Sequence, residues 1–286
     1  MIKVSLQIRR AVEDDHQQIA SLMGHEATIH RHLDWRSPLN WLGAANYWVL
    51  EDGRNITAVL ACPEDPPHVA WIRLFGYLPD LPAPQTWKAL WAKACEDMAP
   101  AGKTQVAAIV VKRWFHSLLI SSGFEVKQNI ILLELKNKHY KSFPLPQGVR
   151  IRHMLDGDIR DISLLDSEAF GAFWQNTEDT LRRAYSQAVY ASVAEDDSGV
   201  IGYQISTGNP FGAHLGRLGV RPGLQGKGIG AALVSDLIHR LDVDHLVRLS
   251  VNTQTDNTAS LQLYEKIGFM PTGENFPVLV YPGLSR

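Results

Sequence analysis

The chain has 286 residues, of which 45% are hydrophobic and 20% charged, and its formal charge is −2, so it can bury the cores of two globular domains. This near-neutral charge, without blocks of like charge, argues against binding to nucleic acid or to an anionic membrane. No apolar run has the length of a signal peptide or of a membrane span, and the two cysteines form no C-x-x-C motif. We therefore expect a cytoplasmic protein.

The two halves of the chain resemble each other. IRRAVEDDHQQIASL (8–22) and IRHMLDGDIRDISLL (151–165) share an Ile-Arg strand start, an acidic turn and a helical apolar pattern, 143 positions apart. Gly123 and Gly268 each precede Phe after a short helical segment, 145 positions apart. Two matches at nearly one offset predict a duplicated domain. The polar, proline-bearing segment 136–148 is typical of a linker, so we predict domains at 1–138 and 146–286.

The segment HEATIH (25–30) resembles the zinc motif H-E-x-x-H, but its two histidines are five positions apart. On a helix this spacing separates them by about 140°, so they cannot share one metal ion from one face. We expect no metal site here, and we expect His30 and His32 to lie on a solvated surface.

In the second half, hydrophobic periodicity predicts alternating strands and helices. We expect helices at 156–170, 177–186, 228–241 and 258–267, and strands at 149–153, 188–195, 200–207, 214–220, 246–252, 269–272 and 276–281. The fold class is therefore α/β, with a mixed sheet that begins antiparallel. A strand, glycine loop, helix and strand unit lies in its middle.

That glycine loop, GVRPGLQGKGIGAALV (219–234), predicts an anion site. Unpaired N–H groups and the dipole at a helix N-terminus bind phosphate, and glycine allows its close approach. The helix has no carboxylate before Asp236, and Lys227 adds a positive charge. A glycine turn that serves strand-to-helix packing alone remains the alternative. A dinucleotide site is disfavoured, because the next strand ends without an acidic residue and only about 35 residues follow it.

Two sequence blocks resemble the GNAT superfamily of N-acyltransferases, whose loop signature is Q/R-x-x-G-x-G/A. The first block supplies the whole signature, as Gln225, Gly226, Lys227, Gly228, Ile229 and Gly230. The second, NTASLQLYEKIGF (257–269), places a tyrosine seven residues after an asparagine, as in the family. The duplication resembles tandem members such as mycothiol synthase-like proteins. The first copy has Pro82 and Pro84 at the loop position and no Gly-x-Gly, so we expect it to be degenerate and catalytically silent.

The resemblance implies acetyl-CoA as cosubstrate, without a metal. The loop amides of Gln225 to Gly230 would hold the pyrophosphate, and Asn257 belongs to the same predicted cofactor site. The preceding strand would offer main-chain groups of Leu218, Gly219 and Val220 to the pantetheine arm. An N–H near Val220 would stabilise the oxyanion that forms from the thioester.

The resemblance also implies catalytic residues. Tyr264 matches the family's frequent general acid, although a tyrosine packed in the core fits the sequence as well. His214 lies on the strand where some members carry a glutamate base, and its imidazole is a plausible proton acceptor, or else merely an exposed edge residue. Glu168, before the aromatic segment AFGAFWQN (169–176), is a second candidate base.

We thus predict an N-acetyltransferase that acts by direct attack of a primary amine from a small molecule or peptide, as a monomer or homodimer. A cysteine acyl-enzyme is disfavoured because the second half contains no cysteine. The alternative is a noncatalytic acyl-CoA-binding or sensor module with the same cofactor site.

Overall fold

The computed structural model describes residues 6–101, 104–135, 140–209, 212–241 and 248–284. They fall into two compact units: unit 1 contains Met1–Lys127 and Phe276–Arg286, and unit 2 contains Gln128–Asn275. Within the described ranges, no helix combines the length and the apolar character needed to cross a bilayer.

Residues 6–101 and 104–135, the described part of the first half, form eight strands and three helices. The strands are β1 (Leu6–Arg10), β2 (Ile29–Arg31), β3 (Tyr47–Asp52), β4 (Asn55–Ala61), β5 (Val69–Trp71), β6 (Leu74–Tyr77), β7 (Gln105–Ile109) and β8 (Glu125–Leu135). The helices are α1 (His16–Leu22), α2 (Ala83–Met98) and α3 (Arg113–Ser121).

Among its described residues, the second part forms six strands and four helices at the positions that periodicity predicted, to within a few residues; positions 246 and 247 of the strand expected at 246–252 lie outside the described residues. The strands are β9 (Arg150–His153), β10 (Tyr190–Asp196), β11 (Gly199–Asn209), β12 (Gly212–Val220), β13 (Leu249–Gln254) and β14 (Met270–Tyr281). The helices are α4 (Ile159–Trp174), α5 (Glu178–Ser186), α6 (Ile229–Arg240) and α7 (Thr258–Ile267). The two strands expected near the end of the chain are one continuous strand.

Unit 2 is built on a mixed sheet with the strand order β9, β10, β11, β12, β13, β8. Only β12 and β13 run parallel; the other pairs in this order are antiparallel. Helices α6 and α7 pack on one face through a common apolar cluster that includes Leu215, Leu237, Val251 and Ile267. Helix α4 contacts the opposite face, where Asp166 binds Arg217 of β12.

Segment 128–135 of β8 belongs to unit 2 because it pairs with β13 over six residues. Conversely, the end of β14 pairs with β7 in unit 1. The units therefore divide the chain at other places than the predicted domains, 1–138 and 146–286. Of the predicted linker, residues 136–139 lie outside the described residues, while the N–H groups of Lys141 and Phe143 bond to Ile267 O and Ser235 Oγ of unit 2, at 2.9 Å each. The predicted domain boundaries stay a prediction, since compactness does not test which segment folds alone.

Unit 1 contains a five-stranded sheet with the order β1, β3, β4, β6, β2, and β7 pairs with β5 and β14. Its largest core cluster is aromatic and includes Trp48, Phe75, Trp87 and Phe115. The expectation of a solvated surface at His30 and His32 is wrong. His30 is fully buried and stacks on Phe115 at 4.1 Å between ring centroids, because β2 inserts it into this core.

The same ion-pair anchor occurs in both halves and supports their duplication. Arg9 donates to both Asp15 oxygens at 2.7 and 2.9 Å, and Arg152 donates to both Asp158 oxygens at the same two distances. Each aspartate also accepts the N–H of the residue three positions earlier. The Arg152 guanidinium lowers the pKa of Asp158, so ionisation of this carboxyl stabilises the fold.

We expect Asp158→Asn to lower the free energy of unfolding by about 1.5–3 kcal/mol at pH 7, the range for a hydrogen bond to a charged group. A depressed folded-state pKa stabilises the protein above the unfolded value near 3.8 and no longer does so once the pH falls below the folded value. The difference from wild type should therefore vanish in acid. Denaturation followed by circular dichroism from pH 7 to pH 2 measures it. Asp197→Asn, in an exposed turn, is the control; an equal loss in both variants contradicts the assignment.

Candidate active site

An irregularity in β12 sets the geometry of the candidate site. Ser206 pairs with Leu215 and Ile205 pairs with Arg217, so Gly216 is an extra residue in β12 that has no partner in β11. Such a bulge shifts the alternation of side chains by one. Leu215 and Leu218 therefore both join the cluster on the α6 face, while Arg217 reaches α4 on the other face.

After the bulge, β12 separates from β13. In the part of the chain that the structure describes, the two strands pair only through residues 213–215 of β12, whereas β12 stays paired with β11 as far as Val220. The edge of 217–220 that faces away from β11 therefore has no strand partner there. The Val220 carbonyl accepts a hydrogen bond from Gln225 Nε2 at 3.0 Å, which ties the start of the glycine loop to the end of the strand.

The predicted glycine loop has the conformation of an anion-binding turn. Gly226 and Gly228 have φ angles of 76° and 88°, which only glycine adopts without strain, and Gly228 is the N-cap of α6. Among the described residues, none accepts a hydrogen bond from the backbone N–H groups of residues 226–231. Six consecutive free donors at a helix N-terminus, with Lys227 exposed beside them and no acid in the first turn, favour a phosphate group.

Gly230 is where three elements of the site meet. A Cβ atom at Gly230 would lie 3.4 Å from Leu263 of α7, 3.7 Å from Val220 and 3.9 Å from Leu218 of β12. The start of α6 thus packs on the side chains of Leu218 and Val220 of β12 and of Leu263 of α7. Ile229 is buried in the core, so only its main chain is available to a ligand.

Helix α7 carries two predicted site residues with different roles. Asn257 is its N-cap: Oδ1 accepts the N–H of Ser260 at 3.1 Å, so the side chain already orients the helix. Tyr264 is 4% exposed and packs against Phe269, and burial raises the pKa of its hydroxyl. It is therefore a neutral donor at neutral pH.

His214 is half-buried on the face of the sheet opposite α6. Its Nδ1 atom lies 2.9 Å from Ser250 Oγ of β13, and the two residues are register partners. Burial lowers the pKa of His214 below its usual value of 6.5, so the imidazole is neutral at pH 7. A neutral imidazole can accept a proton.

Glu168, the other candidate base, is exposed on α4. Asp166, two residues earlier, is fully buried instead. It accepts two hydrogen bonds from Arg217 at 2.7 and 2.8 Å, one from the Tyr203 hydroxyl and one from the Asn176 N–H at 2.6 Å. With its lone pairs used in this way, Asp166 is a structural anion and not a base. Glu168 stays a prediction that no contact supports.

The Arg217–Asp166 pair fixes the end of α4, which sequence reasoning missed. Arg217 also donates to the Trp174 carbonyl at 2.7 Å and lies 3.4 Å above the Phe170 ring. Gly171, with φ 70° inside α4, turns the chain at this point. Arg217 and Asp166 are 51 positions apart, so no local pattern predicts their contact. The one sign of it in the sequence is that an arginine lies in the middle of an apolar strand.

In unit 1 the corresponding strand edge is covered. Strand β6 corresponds to the end of β12, and its edge away from β4 is covered by β2, through the pairs Ile29–Gly76, His30–Phe75 and Arg31–Leu74. Where β12 leaves an edge free, β6 is paired on both sides. Helix α2 also begins with proline instead of a glycine loop.

We expect Asp166→Ala to lower the free energy of unfolding by about 3–5 kcal/mol, because it leaves the Arg217 charge buried without a partner. Glu168→Ala in the same helix is the control and should change it by no more than about 0.5 kcal/mol. Urea denaturation of both variants measures the difference. Similar values for the two would contradict the buried-pair assignment.

Comparison with known proteins agrees with this geometry. The family described as "Acetyltransferase (GNAT) family" matches residues 159–269. A mycothiol acetyltransferase of Amycolatopsis mediterranei is 26% identical over 191 residues, covering 57% of this chain and 63% of that protein. Another, from Kocuria rhizophila, is 32% identical over 142 residues, covering 44% of this chain and 47% of that protein. The chain thus spans less than two thirds of the length of each.

A solved structure, a tandem GNAT protein from the clavulanic acid biosynthesis pathway, covers 96% of this chain and 98% of its own with a TM-score of 0.65. Its sequence identity is 18%, so the likeness concerns the fold. The prediction of a tandem mixed α/β fold is confirmed. Residues 159–269 thus match the GNAT acetyltransferase family, and the chain has the fold of a tandem GNAT protein.

Proposed function

We propose that this protein is an N-acetyltransferase that transfers the acetyl group of acetyl-CoA to a primary amine by direct attack. The observation that carries the proposal is the row of free N–H groups at residues 226–231, which begins where β12 ends with an unpaired edge. A packing turn alone does not require two left-handed glycines followed by unpaired donors.

The loop and the strand edge fit the two ends of the coenzyme. The free amides and the α6 dipole would hold its pyrophosphate, which needs no cationic side chain. The main chain of Leu218 and Val220 would pair with the amide groups of the pantetheine arm, as a neighbouring strand does. Bound in this way, the coenzyme supplies an acetyl group activated as a thioester.

Tyr264 would act as a hydrogen-bond donor to the departing sulfur. A thiol has a pKa near 8.5, while burial raises the pKa of Tyr264 above the usual phenol value near 10. Full proton transfer from the phenol to the thiolate is therefore uphill. A short hydrogen bond that stabilises the developing negative charge needs no such transfer.

His214 would act as the base. Attack by the neutral amine forms the C–N bond and breaks the C–S bond, and the nitrogen must then lose one proton. The neutral imidazole of His214 takes this proton and releases it to water. The acceptor that we propose is a primary amine of a small molecule or peptide; the two relatives above are named for mycothiol.

The first test is coenzyme A binding by titration calorimetry. We expect one equivalent per chain, because β2 covers the corresponding edge in unit 1. Gly228→Ala should weaken binding at least tenfold, since a side chain at φ 88° strains the loop and redirects its amides. Gly199→Ala is a matched control, because Gly199 has φ 105° in the turn between β10 and β11. Absence of binding, two equivalents, or equal losses in both variants would each contradict this assignment.

The second test is release of free thiol from acetyl-CoA with a panel of primary amines. Tyr264→Phe keeps the packed ring and removes the hydroxyl, so kcat should fall about 100-fold while coenzyme A affinity stays unchanged. Tyr185→Phe, whose hydroxyl bonds to the Met154 carbonyl, is the control and should retain kcat. If coenzyme A binds but no amine releases thiol, the protein is an acyl-CoA-binding module instead.

A further inference from the structure

The proposed base, His214, is the first of three polar residues that lie side by side on neighbouring strands. In the sheet of unit 2, His214 of β12 pairs with Ser250 of β13, and Ser250 pairs with Glu134 of β8. Their sequence neighbours Leu215, Val251, Leu133 and Leu135 all face the α6 and α7 cluster. Because side chains alternate along strands, the three polar residues share the opposite face.

Ser250 contacts two groups that compete for its single hydroxyl proton. Its Oγ lies 2.9 Å from His214 Nδ1 and 3.4 Å from the Ala213 carbonyl oxygen. A carbonyl oxygen can only accept, so the Ala213 contact requires the hydroxyl to donate there. The lone pair of Oγ is then directed to Nδ1, which must carry a hydrogen atom. With a single hydroxyl proton, Ser250 makes a separate hydrogen bond in each contact when Nδ1 carries the hydrogen atom.

We infer that Ser250 is a positioning residue that holds His214 as the Nδ1–H tautomer, so that Nε2 is the atom that accepts the proton of the amine. The inference rests on the proposed function, in which His214 is the base. In the reverse tautomer Nε2 carries a hydrogen atom, and the only ring lone pair, on Nδ1, already accepts the hydroxyl hydrogen of Ser250.

Charged groups on the elements around His214 are paired with each other. Arg217 on the same strand is neutralised by Asp166 of α4, and Glu134 accepts a hydrogen bond from Arg248 at 3.2 Å. On β11, the register partner of His214 is the neutral Thr207, and Tyr264 belongs to the cluster on the other face of the sheet. Burial lowers the pKa of His214. Ser250 Oγ is therefore the group that stabilises the Nδ1–H of the imidazolium formed during the reaction.

The proton balance of the step predicts in which direction the pH dependence of kcat changes when Ser250 is replaced. Before attack, His214 carries one hydrogen atom on Nδ1, which donates to Ser250. After the C–N bond forms, Nε2 binds the proton lost by nitrogen, and the imidazolium then needs acceptors for two N–H groups. Removal of the Ser250 hydroxyl destabilises the charged form and should lower the pKa of His214 further. The rising limb of kcat against pH then moves to lower pH.

The experiment compares Ser250→Ala, Ser250→Thr and Thr207→Ala in the full chain. Thr207→Ala is a matched control, because it removes a hydroxyl from the other register partner of His214. General-base catalysis contributes at least about 100-fold, and Ser250→Ala keeps the base but loses part of its orientation. We therefore expect Ser250→Ala to lower kcat by a smaller factor, about tenfold. We also expect its rising pH limb to move to lower pH. Ser250→Thr and Thr207→Ala should keep the wild-type limb.

A second readout does not depend on turnover. Nitrogen NMR of histidine-labelled protein, with the His214 signals assigned from His214→Gln, should show Nδ1 protonated and Nε2 unprotonated in the wild type. In Ser250→Ala the two tautomers should mix. A wild-type Nε2–H tautomer, or an unchanged pH limb in an active Ser250→Ala variant, overturns the inference. If the wild type turns over no amine, the proposed function is overturned instead. The NMR result distinguishes the two cases, because it reports the tautomer of His214 without turnover.

Discussion

The candidate site depends on one extra residue in a strand. Gly216 has no partner in β11, and from that point β12 changes the faces of its side chains and leaves β13. A strand inside a sheet normally has its N–H and C=O groups paired on both sides. The bulge removes that pairing on one side over 217–220, so the edge is available to a ligand while β11 continues to hold the strand. Because of this extra residue, Arg217 lies on the α4 face together with His214, and Leu218 lies on the α6 face.

The two halves of the chain show what the site requires beyond the fold. Both keep the bidentate arginine–aspartate anchor after their first strand, with matching distances. In unit 1 the consecutive strands β5 and β6 take the place of β12: β5 pairs with β7, and β6 pairs with β4. There, however, β2 supplies the missing edge partner and His30 fills the core beside Phe115. Strand β6 is therefore paired along both of its edges, whereas the end of β12 is paired along one.

Much of this could be predicted from the sequence, where the signal is local. Periodicity gave the helices and strands of the second half, and the spacing of Gly226 and Gly228 gave the loop. The Arg217–Asp166 pair, the bond between His214 and Ser250, and the strand β2 could not be predicted in this way. Each depends on which strands become neighbours, and the residues involved lie up to 51 positions apart. His30 was misinterpreted for the same reason, because its polar neighbours in the sequence gave no sign that it lies in a core.

Burial gives the two proposed catalytic side chains their protonation states. The sheet covers His214, which lowers the pKa of its imidazole, and the α7 core covers Tyr264, which raises the pKa of its phenol. Both are therefore neutral over the same range around pH 7, one able to accept a proton and the other able to donate a hydrogen bond. A carboxylate base would be ionised in that range without any burial, whereas an imidazole with the usual pKa of 6.5 would be partly protonated there, and burial reduces that fraction. The described partner of His214 Nδ1 is a neutral hydroxyl, so the orientation of the imidazole proton depends on Ser250.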